Sequence, residues 1–259
     1  MPRFVAVLAV LVAAAAASSL GAGASAGKLV FCSDTTYPPA EYLVGGKATG
    51  YDVDIANAVA KALGKTAEIK TTGFTVIIPA LRAKKCDAII SSMTITPARS
   101  KQVDFAPYIT VGAFLMVKKG NPLHISTLAS LSGKSCAVEA STTEKAGLDA
   151  ENQALAKAGK PKITIKIYPA DTSAAAAILA GKVDAYFADA PVVIYYTKKT
   201  HGKFQTAGTQ IETAPEGIAT RKGDPLGGQI KAAVAKLYAN GTMKKILTKW
   251  GVAAFALKK

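Results

Sequence analysis

Short apolar segments alternate with longer ones whose apolar residues recur every three or four positions, and this alternation constrains the chain more than any other feature. Residues 28–32 read as a buried strand, closed by Ser33-Asp34-Thr35-Thr36 and by Pro38-Pro39, through which neither strand nor helix continues. Over 52–63, Ile55, Val59 and Leu63 share one helical face backed by Ala56 and Ala60, with Asp52 and Asp54 at the positive end and Gly64 as the stop. The spacing predicts a second helix through Ile77, Ile78, Ala80 and Leu81 to Lys85, then a strand over 86–90. A loop, Ser91-Ser92-Met93-Thr94, leads to a helix that opens at Thr96-Pro97 and includes Arg99. Residues 111–118 alternate as a strand.

The theme then begins again. Residues 135–139 form a strand, Ser141-Thr142 a cap, 143–158 an Ala-rich helix and 163–168 another strand. Asp171-Thr172 caps a helix over 174–179, and 183–188 is a buried strand ending at Asp189. A helix from Asp224-Pro225 to about Asn240 and a short one over 242–250 follow. Such alternation predicts an α/β fold with mostly parallel sheets. Leu81-Arg82-Ala83-Lys84-Lys85-Cys86-Asp87-Ala88 is echoed by Leu179-Ala180-Gly181-Lys182-Val183-Asp184-Ala185, each a helix end, a turn and a strand opening near Asp-Ala. The echo points to two similar sub-domains, each with its own sheet; coincidence of a common local motif is the alternative.

The N-terminus carries one charge, Arg3, followed by an unbroken apolar run of 14 residues, 4–17. A membrane-spanning helix needs roughly 20 such residues. Small residues follow, with A-x-A sites ending at Ala24 or Ala26, the layout of a cleaved secretory signal peptide over 1–24. An uncleaved anchor is the alternative, because no charge intervenes before Lys28. Phe31 before Cys32 argues against a lipid attachment site. The mature chain is therefore expected to be soluble and to work outside the cytoplasm, in the periplasm.

In open α/β sheets, ligands sit beyond the carboxyl ends of the strands, near helix N-termini. The polar and aromatic residues in such places are Asp34, Tyr37, Phe74, Ser91, Ser92, Thr94, Arg99, Thr142 (with Ser141) and Asp189. This set suits a free amino acid: an Arg fork for the α-carboxylate, a carboxylate for the α-ammonium, and a second carboxylate for a donor-bearing side chain. Plainer roles stay open. Thr142 is also a helix cap, Ser91 and Ser92 turn residues, Asp34 an Asx-turn, Arg99 a solvated helix residue, and Tyr37 and Phe74 core aromatics. Asp171 is read as a cap alone.

Gly50-Tyr51-Asp52-Val53-Asp54-Ile55, with Val59-Ala60 and Leu63, resembles the signature of the bacterial extracellular solute-binding proteins of family 3, the amino-acid receptors of ABC importers. Ile77-Ile78-Pro79-Ala80-Leu81, Asp87 through Arg99, Val103-Asp104-Phe105 and Pro107-Tyr108 continue the resemblance, which covers the whole mature chain. It implies a two-lobed, type II periplasmic-binding-protein fold that closes on its ligand by a hinge, each lobe a mostly parallel sheet flanked by helices. Lobe 1 would be 27–112 plus 210–259 and lobe 2 would be 113–209, with crossings near Val111-Gly112 and Gln210-Ile211. By the same resemblance, Arg99 would hold the ligand α-carboxylate with Thr94 and Thr142, and Asp189 with Ser92 the α-ammonium. Tyr37 and Phe74 would sandwich the side chain, whose far end would meet Asp34 and Ser91. The sequence departs from the pattern at Ala40, where members often carry Phe; Glu41 beside it reads as structural. The lysine/arginine/ornithine-binding type is most similar at Asp34-Thr35-Thr36-Tyr37 and Ser91-Ser92. The expected ligand is thus arginine or lysine ahead of glutamine, with acidic ligands repelled by Asp34.

The formal net charge is +15 at pH 7. The basic residues after Asp224 are spread along helices, as Lys231, Lys236, Lys244, Lys245 and Lys249, without a nucleic-acid motif, and read as a solvated face. Cys32 near one strand's end and Cys86 at another's start are expected to lie too far apart to bond, with Cys136 in the other lobe, leaving three buried thiols. No metal or cofactor is expected, and the partner implied is the membrane permease of an ABC importer, served by a monomer. The rival reading is a periplasmic enzyme on the same scaffold, such as a cyclohexadienyl dehydratase recruiting Glu139 or Glu41 as acid or base. The two histidines, His124 and His201, fall in connecting segments outside the motif loops.

Overall fold

A computed structural model describes residues 1–2 and 27–257; the apolar run and cleavage sites of the expected signal peptide lie outside the described residues. Two units share one topology. The first is β1 (Lys28–Ser33), a small antiparallel hairpin sheet of β2 (Thr36–Tyr37), β3 (Glu41–Val44) and β4 (Lys47–Thr49), then α1 (Tyr51–Ala62), β5 (Thr66–Thr71), α2 (Phe74–Arg82) and β6 (Ala88–Ile89). After α3 (Pro97–Ser100) and β7 (Val103–Lys118) comes the second: β8 (Ser135–Glu139), α4 (Thr143–Lys157), β9 (Thr164–Tyr168), α5 (Asp171–Leu179) and β10 (Ala185–Asp189). The chain then runs through α6 (Ala190–Lys199), β11 (Phe204–Arg221), α7 (Pro225–Ala239) and α8 (Thr242–Lys249).

In each unit the first strand is central and parallel to both neighbours, β1 between β5 and β6, β8 between β9 and β10. The echo seen in the sequence has a shared physical basis. Asp87 Oδ2 accepts the backbone N–H of Val30 (2.9 Å) and Asp184 Oδ2 that of Ser135 (2.8 Å), so each aspartate ties the turn after a helix to the unit's central strand. The helix ends leave by the left-handed conformation at Lys84 and Gly181.

The two parallel sets do not form separate sheets. They are joined by β7 and β11, of 16 and 18 residues, into one eight-stranded sheet, β5-β1-β6-β11-β7-β10-β8-β9. The two long strands run antiparallel and serve both units, because each exceeds the roughly ten residues that one sheet layer accommodates. Midway their register slips between Ala207 and Ile211 and again before Ala214. Here Gly112 lets the strands approach closely, since a Cβ would stand 2.7 Å from Thr213 Oγ1 and 3.1 Å from the Ile211 carbonyl oxygen.

Period-two alternation buries both sheet faces. Phe31 packs under α1 with Tyr51, Ile55 and Val59, whereas its neighbour Cys32 faces α2 with Ile77, Leu81, Ile89 and Met93. In the second unit, Val138 and Phe187 pack with Leu148 and Leu155 of α4. Gly50 is obligatory at the start of α1: at φ 134° a side chain would put Cβ 1.9 Å from the Ala40 carbonyl oxygen.

The expectation of three thiols is wrong. Cys32 and Cys86, 54 positions apart in the sequence, form a disulfide with Cα atoms 5.7 Å apart, and Cys136 is the free, buried cysteine. The expectation took Cys86 as the first residue of an extended strand. Cys32 pairs with Ile89, so an extended chain would carry Cys86 about 10 Å away along the strand. Instead 85–87 is a bend that folds back on the α2 side of the sheet. Closing a loop of this length stabilises a fold by about 2–4 kcal/mol. Alkylating the unfolded, unreduced protein should therefore label Cys136 alone, and reduction should expose two more thiols; three labels without reductant contradict the pairing.

Candidate functional site

The carboxyl ends of the parallel strands and the N-termini of α2, α3 and α4 converge on a narrow cavity between the two units. Its walls contain all nine residues singled out in the sequence: Asp34, Tyr37, Phe74, Ser91, Ser92, Thr94, Arg99, Thr142 and Asp189. Glu41, Glu139, Thr143 and Glu144 complete the lining.

From the first unit, the buried Asp34 carboxylate accepts the Thr36 hydroxyl (2.8 Å) and the backbone N–H of Phe74 at the start of α2 (2.6 Å). Burial holds its carboxyl above the usual range despite these donors. Asp34 in turn gives its backbone N–H to Ser91 Oγ (2.9 Å), and Ser91 donates its hydroxyl to Glu41 Oε1 (2.8 Å). Ser92 gives its backbone N–H to Asp52 Oδ2 (2.8 Å), which also accepts from Tyr108 (3.0 Å). The serines are therefore more than turn residues: they link the cavity to a buried floor of Glu41, Asp52 and Glu216. Burial pushes Asp52 up to about 6, and burial beside the Asp52 charge raises Glu41 and Glu216 well above the carboxylate range.

Arg99 is not a solvated helix residue. Thr96 caps α3, accepting the Arg99 backbone N–H (3.2 Å), and the guanidinium lies 5.3 Å from the centroid of the Phe74 ring. It donates to the carbonyl oxygens of Thr94 (2.8 Å) and, across the cleft, Ser141 (3.2 Å). Two of its five N–H groups are thus used. Thr142 keeps its cap role, accepting the Lys145 backbone N–H (3.2 Å) and donating to the Glu139 carbonyl oxygen (2.9 Å).

Tyr37 meets Asp189 from the opposite unit, donating its hydroxyl to Oδ2 (2.8 Å) and accepting the Asp189 backbone N–H (3.1 Å). Thr94 and Thr143 hydroxyls pair at 3.3 Å across the same seam. Burial, then the charges of Glu144 and Glu216 beside it, raise the Asp189 carboxyl well above the usual range. Glu139 is pushed up to about 10 by burial and by Asp171 and Asp34, and Asp171 to about 8 by burial.

Asp171 does not cap α5. Ala170 occupies the cap position, and the fully buried Asp171 lies in the first turn, where its carboxylate accepts the Tyr186 hydroxyl. Glu139, Glu144 and Glu216 are the residues the sequence reasoning undervalued or missed. Glu144 follows a strand end in a helix's first turn and was findable by position; Glu216 sits on β11, an element without a sequence signal. Among the described residues, the lining thus sets five carboxyl groups (Asp34, Glu41, Glu139, Glu144, Asp189) against one base, Arg99. Such a cavity suits a small molecule with one carboxylate and more than one cationic or donor group.

Two parallel βαβ units joined by a crossing pair of strands, with a polar cleft between them, define the two-lobed periplasmic-binding-protein fold. The chain belongs to the bacterial extracellular solute-binding proteins, family 3, whose family model matches residues 29–253. It is 33% identical to the ABC transporter arginine-binding protein 1 of Escherichia coli K12, over 93% of this chain and 98% of that one. It is 30% identical to the L-cystine-binding protein TcyJ of the same organism, over 86% and 82%. An ancestral arginine-binding protein bound to arginine superposes with a TM-score of 0.79 at 35% identity, over 88% of this chain and 99% of that one. The ancestral amino-acid-binding protein AncCDT-1, a precursor of cyclohexadienyl dehydratase, gives 0.76 at 35% identity, over 86% and 95%.

The raised carboxyl of Glu139 has a consequence for stability. A carboxyl that holds its proton more tightly folded than unfolded loses stability as pH climbs from the ordinary carboxylate range, about 4, toward its folded value. Glu139→Gln removes that loss, so it should raise the thermal midpoint of the ligand-free protein more at pH 8 than at pH 5. Equal shifts at the two pH values would show that the group is ionised in the folded protein.

Proposed function

We propose that this protein captures a basic amino acid, arginine or lysine ahead of glutamine, by closure of two lobes and delivers it to the membrane permease of an ABC importer. The observation that carries the reading is the lining of the cleft: five buried carboxyl groups and one guanidinium, in a chain that is otherwise strongly basic. Arg99 would take the α-carboxylate bidentately, with Thr94 and the Thr142 backbone at the start of α4. Asp189 with Ser92 would take the α-ammonium, Tyr37 and Phe74 would flank the side chain, and Asp34 with Ser91 would receive its far end. Relatives named for arginine support this choice. We place lobe 1 at 27–112 plus 210–259 and lobe 2 at 113–209, hinged where β7 and β11 lose register. The protein works as a monomer, without catalysis, in the periplasm after removal of residues 1–24. The extracellular character of the family and the Cys32–Cys86 disulfide support an oxidising compartment.

An enzymatic reading is favoured by one observation, a buried carboxyl, Glu139, that lines the cleft and is pushed up to about 10 by burial, in a fold shared with a dehydratase precursor. Incubation with cyclohexadienyl acids separates the two: a transport receptor leaves them unchanged, and turnover would make the protein an enzyme.

Calorimetry with purified protein tests the ligand. Arginine and lysine should bind more tightly than glutamine, and glutamate should not bind. Removing one partner of a buried charge pair costs about 3–5 kcal/mol, roughly two to four powers of ten in affinity. Asp34→Asn should therefore weaken arginine and lysine strongly and glutamine far less, since an amide still bonds to an amide. Unchanged affinity ratios would make Asp34 a turn residue and defeat the basic-ligand reading.

A further inference from the structure

We infer that Glu139 is the second arm of a carboxylate clamp, standing opposite Asp34 so that the far cation of the ligand is gripped from both lobes; the inference rests on the basic-ligand reading above. Each Asp34 oxygen already accepts one hydrogen bond, from Thr36 and from the Phe74 backbone, and keeps one further acceptor site for a ligand donor. Glu139 ends β8 on the other side of the cleft, 5% exposed, and lines the same cavity. Its Oε1 is buried without a hydrogen-bond partner. The Asp34 charge stands near enough to raise the Glu139 carboxyl. An unsatisfied buried acceptor costs free energy, and a donor-bearing group arriving between the two carboxyls would relieve it.

The surroundings decide which donors are admitted. Glu139 faces Asp34 from the loop after β1, Glu144 from α4, Asp171 from α5, Tyr186 from β10 and Tyr196 from α6. These groups are acidic or neutral. With up to about 10 as the value set by that environment, the Glu139 carboxyl carries its proton at neutral pH. A neutral amide leaves the proton in place. A guanidinium or ammonium between the two arms makes the ionised form the favoured one, and the proton passes to solvent as the charge pair forms. Charge selectivity then arises as an exchange of one proton for one ligand cation.

Proton exchange is measurable by calorimetry in buffers of different ionisation enthalpy, phosphate and Tris, at pH 7. The α-ammonium is common to arginine and glutamine, so whatever Asp189 releases cancels in the comparison. Arginine should release about one proton more than glutamine. In Glu139→Gln that difference should vanish, and the preference for arginine over glutamine should fall by about tenfold or more. Equal proton release by the two ligands in the unaltered protein would overturn the clamp, as would a Gln variant that keeps the difference. Failure of arginine and lysine to bind at all would instead overturn the basic-ligand reading, and the clamp with it.

Discussion

A carboxylate taken out of water costs several kcal/mol unless it is paired, well hydrogen-bonded or protonated. This protein nonetheless buries Asp34, Glu41, Asp52, Glu139, Glu144, Asp171, Asp189 and Glu216 in and behind one cleft, with Arg99 as the cleft's base. The surrounding structure is arranged to tolerate them. Tyrosine hydroxyls are spent on Asp52, Asp171 and Asp189, serine hydroxyls and amides on Glu41 and Asp52, and a helix start on Asp34. Burial raises the carboxyls of Asp34, Glu41, Asp52, Glu139, Asp171, Asp189 and Glu216. Such a cleft would suit the proposed ligand, which brings positive charge and a single carboxylate.

The scaffold makes that arrangement by repetition. Two parallel units with the same strand order, each pinned by an aspartate that reaches from the turn after a helix to the central strand, present their helix starts and loops toward one another. The paired β7 and β11 connect them and lose register midway, so the units share a continuous ladder without being one rigid sheet layer. The polar contacts that cross the cleft include Tyr37 with Asp189, Arg99 with Ser141, Ser141 with Thr75, Thr94 with Thr143 and the Asp171 amide with Thr36. These are contacts that water can replace at small cost, which suits lobes that open and close.

Much of this was legible in the sequence because it rests on local rules. Strand ends, the Thr96-Pro97 cap and the Thr142 cap follow from propensity and spacing, and they locate the nine lining residues. Features set by long-range pairing left no such mark. β11 contains Gly208, Pro215 and Gly217, residues that read as breaks, and is a strand because β7 pairs with it along its length. Glu216 was invisible for the same reason. The disulfide turned on whether Cys86 lies in a strand or in the bend before it, a difference of two residues. Asp171 was misread by one position: its carboxylate is drawn inward by Tyr186, while Ala170, a residue with no capping side chain, takes the cap position.

The central claim is that a cation with one carboxylate draws the two lobes together around an acidic cleft. Small-angle scattering of the purified protein, alone and with saturating arginine or glutamate, tests it most directly. The account predicts a smaller radius of gyration with arginine and an unchanged one with glutamate. Superimposable curves with and without saturating arginine would show that no closure accompanies binding and would contradict it.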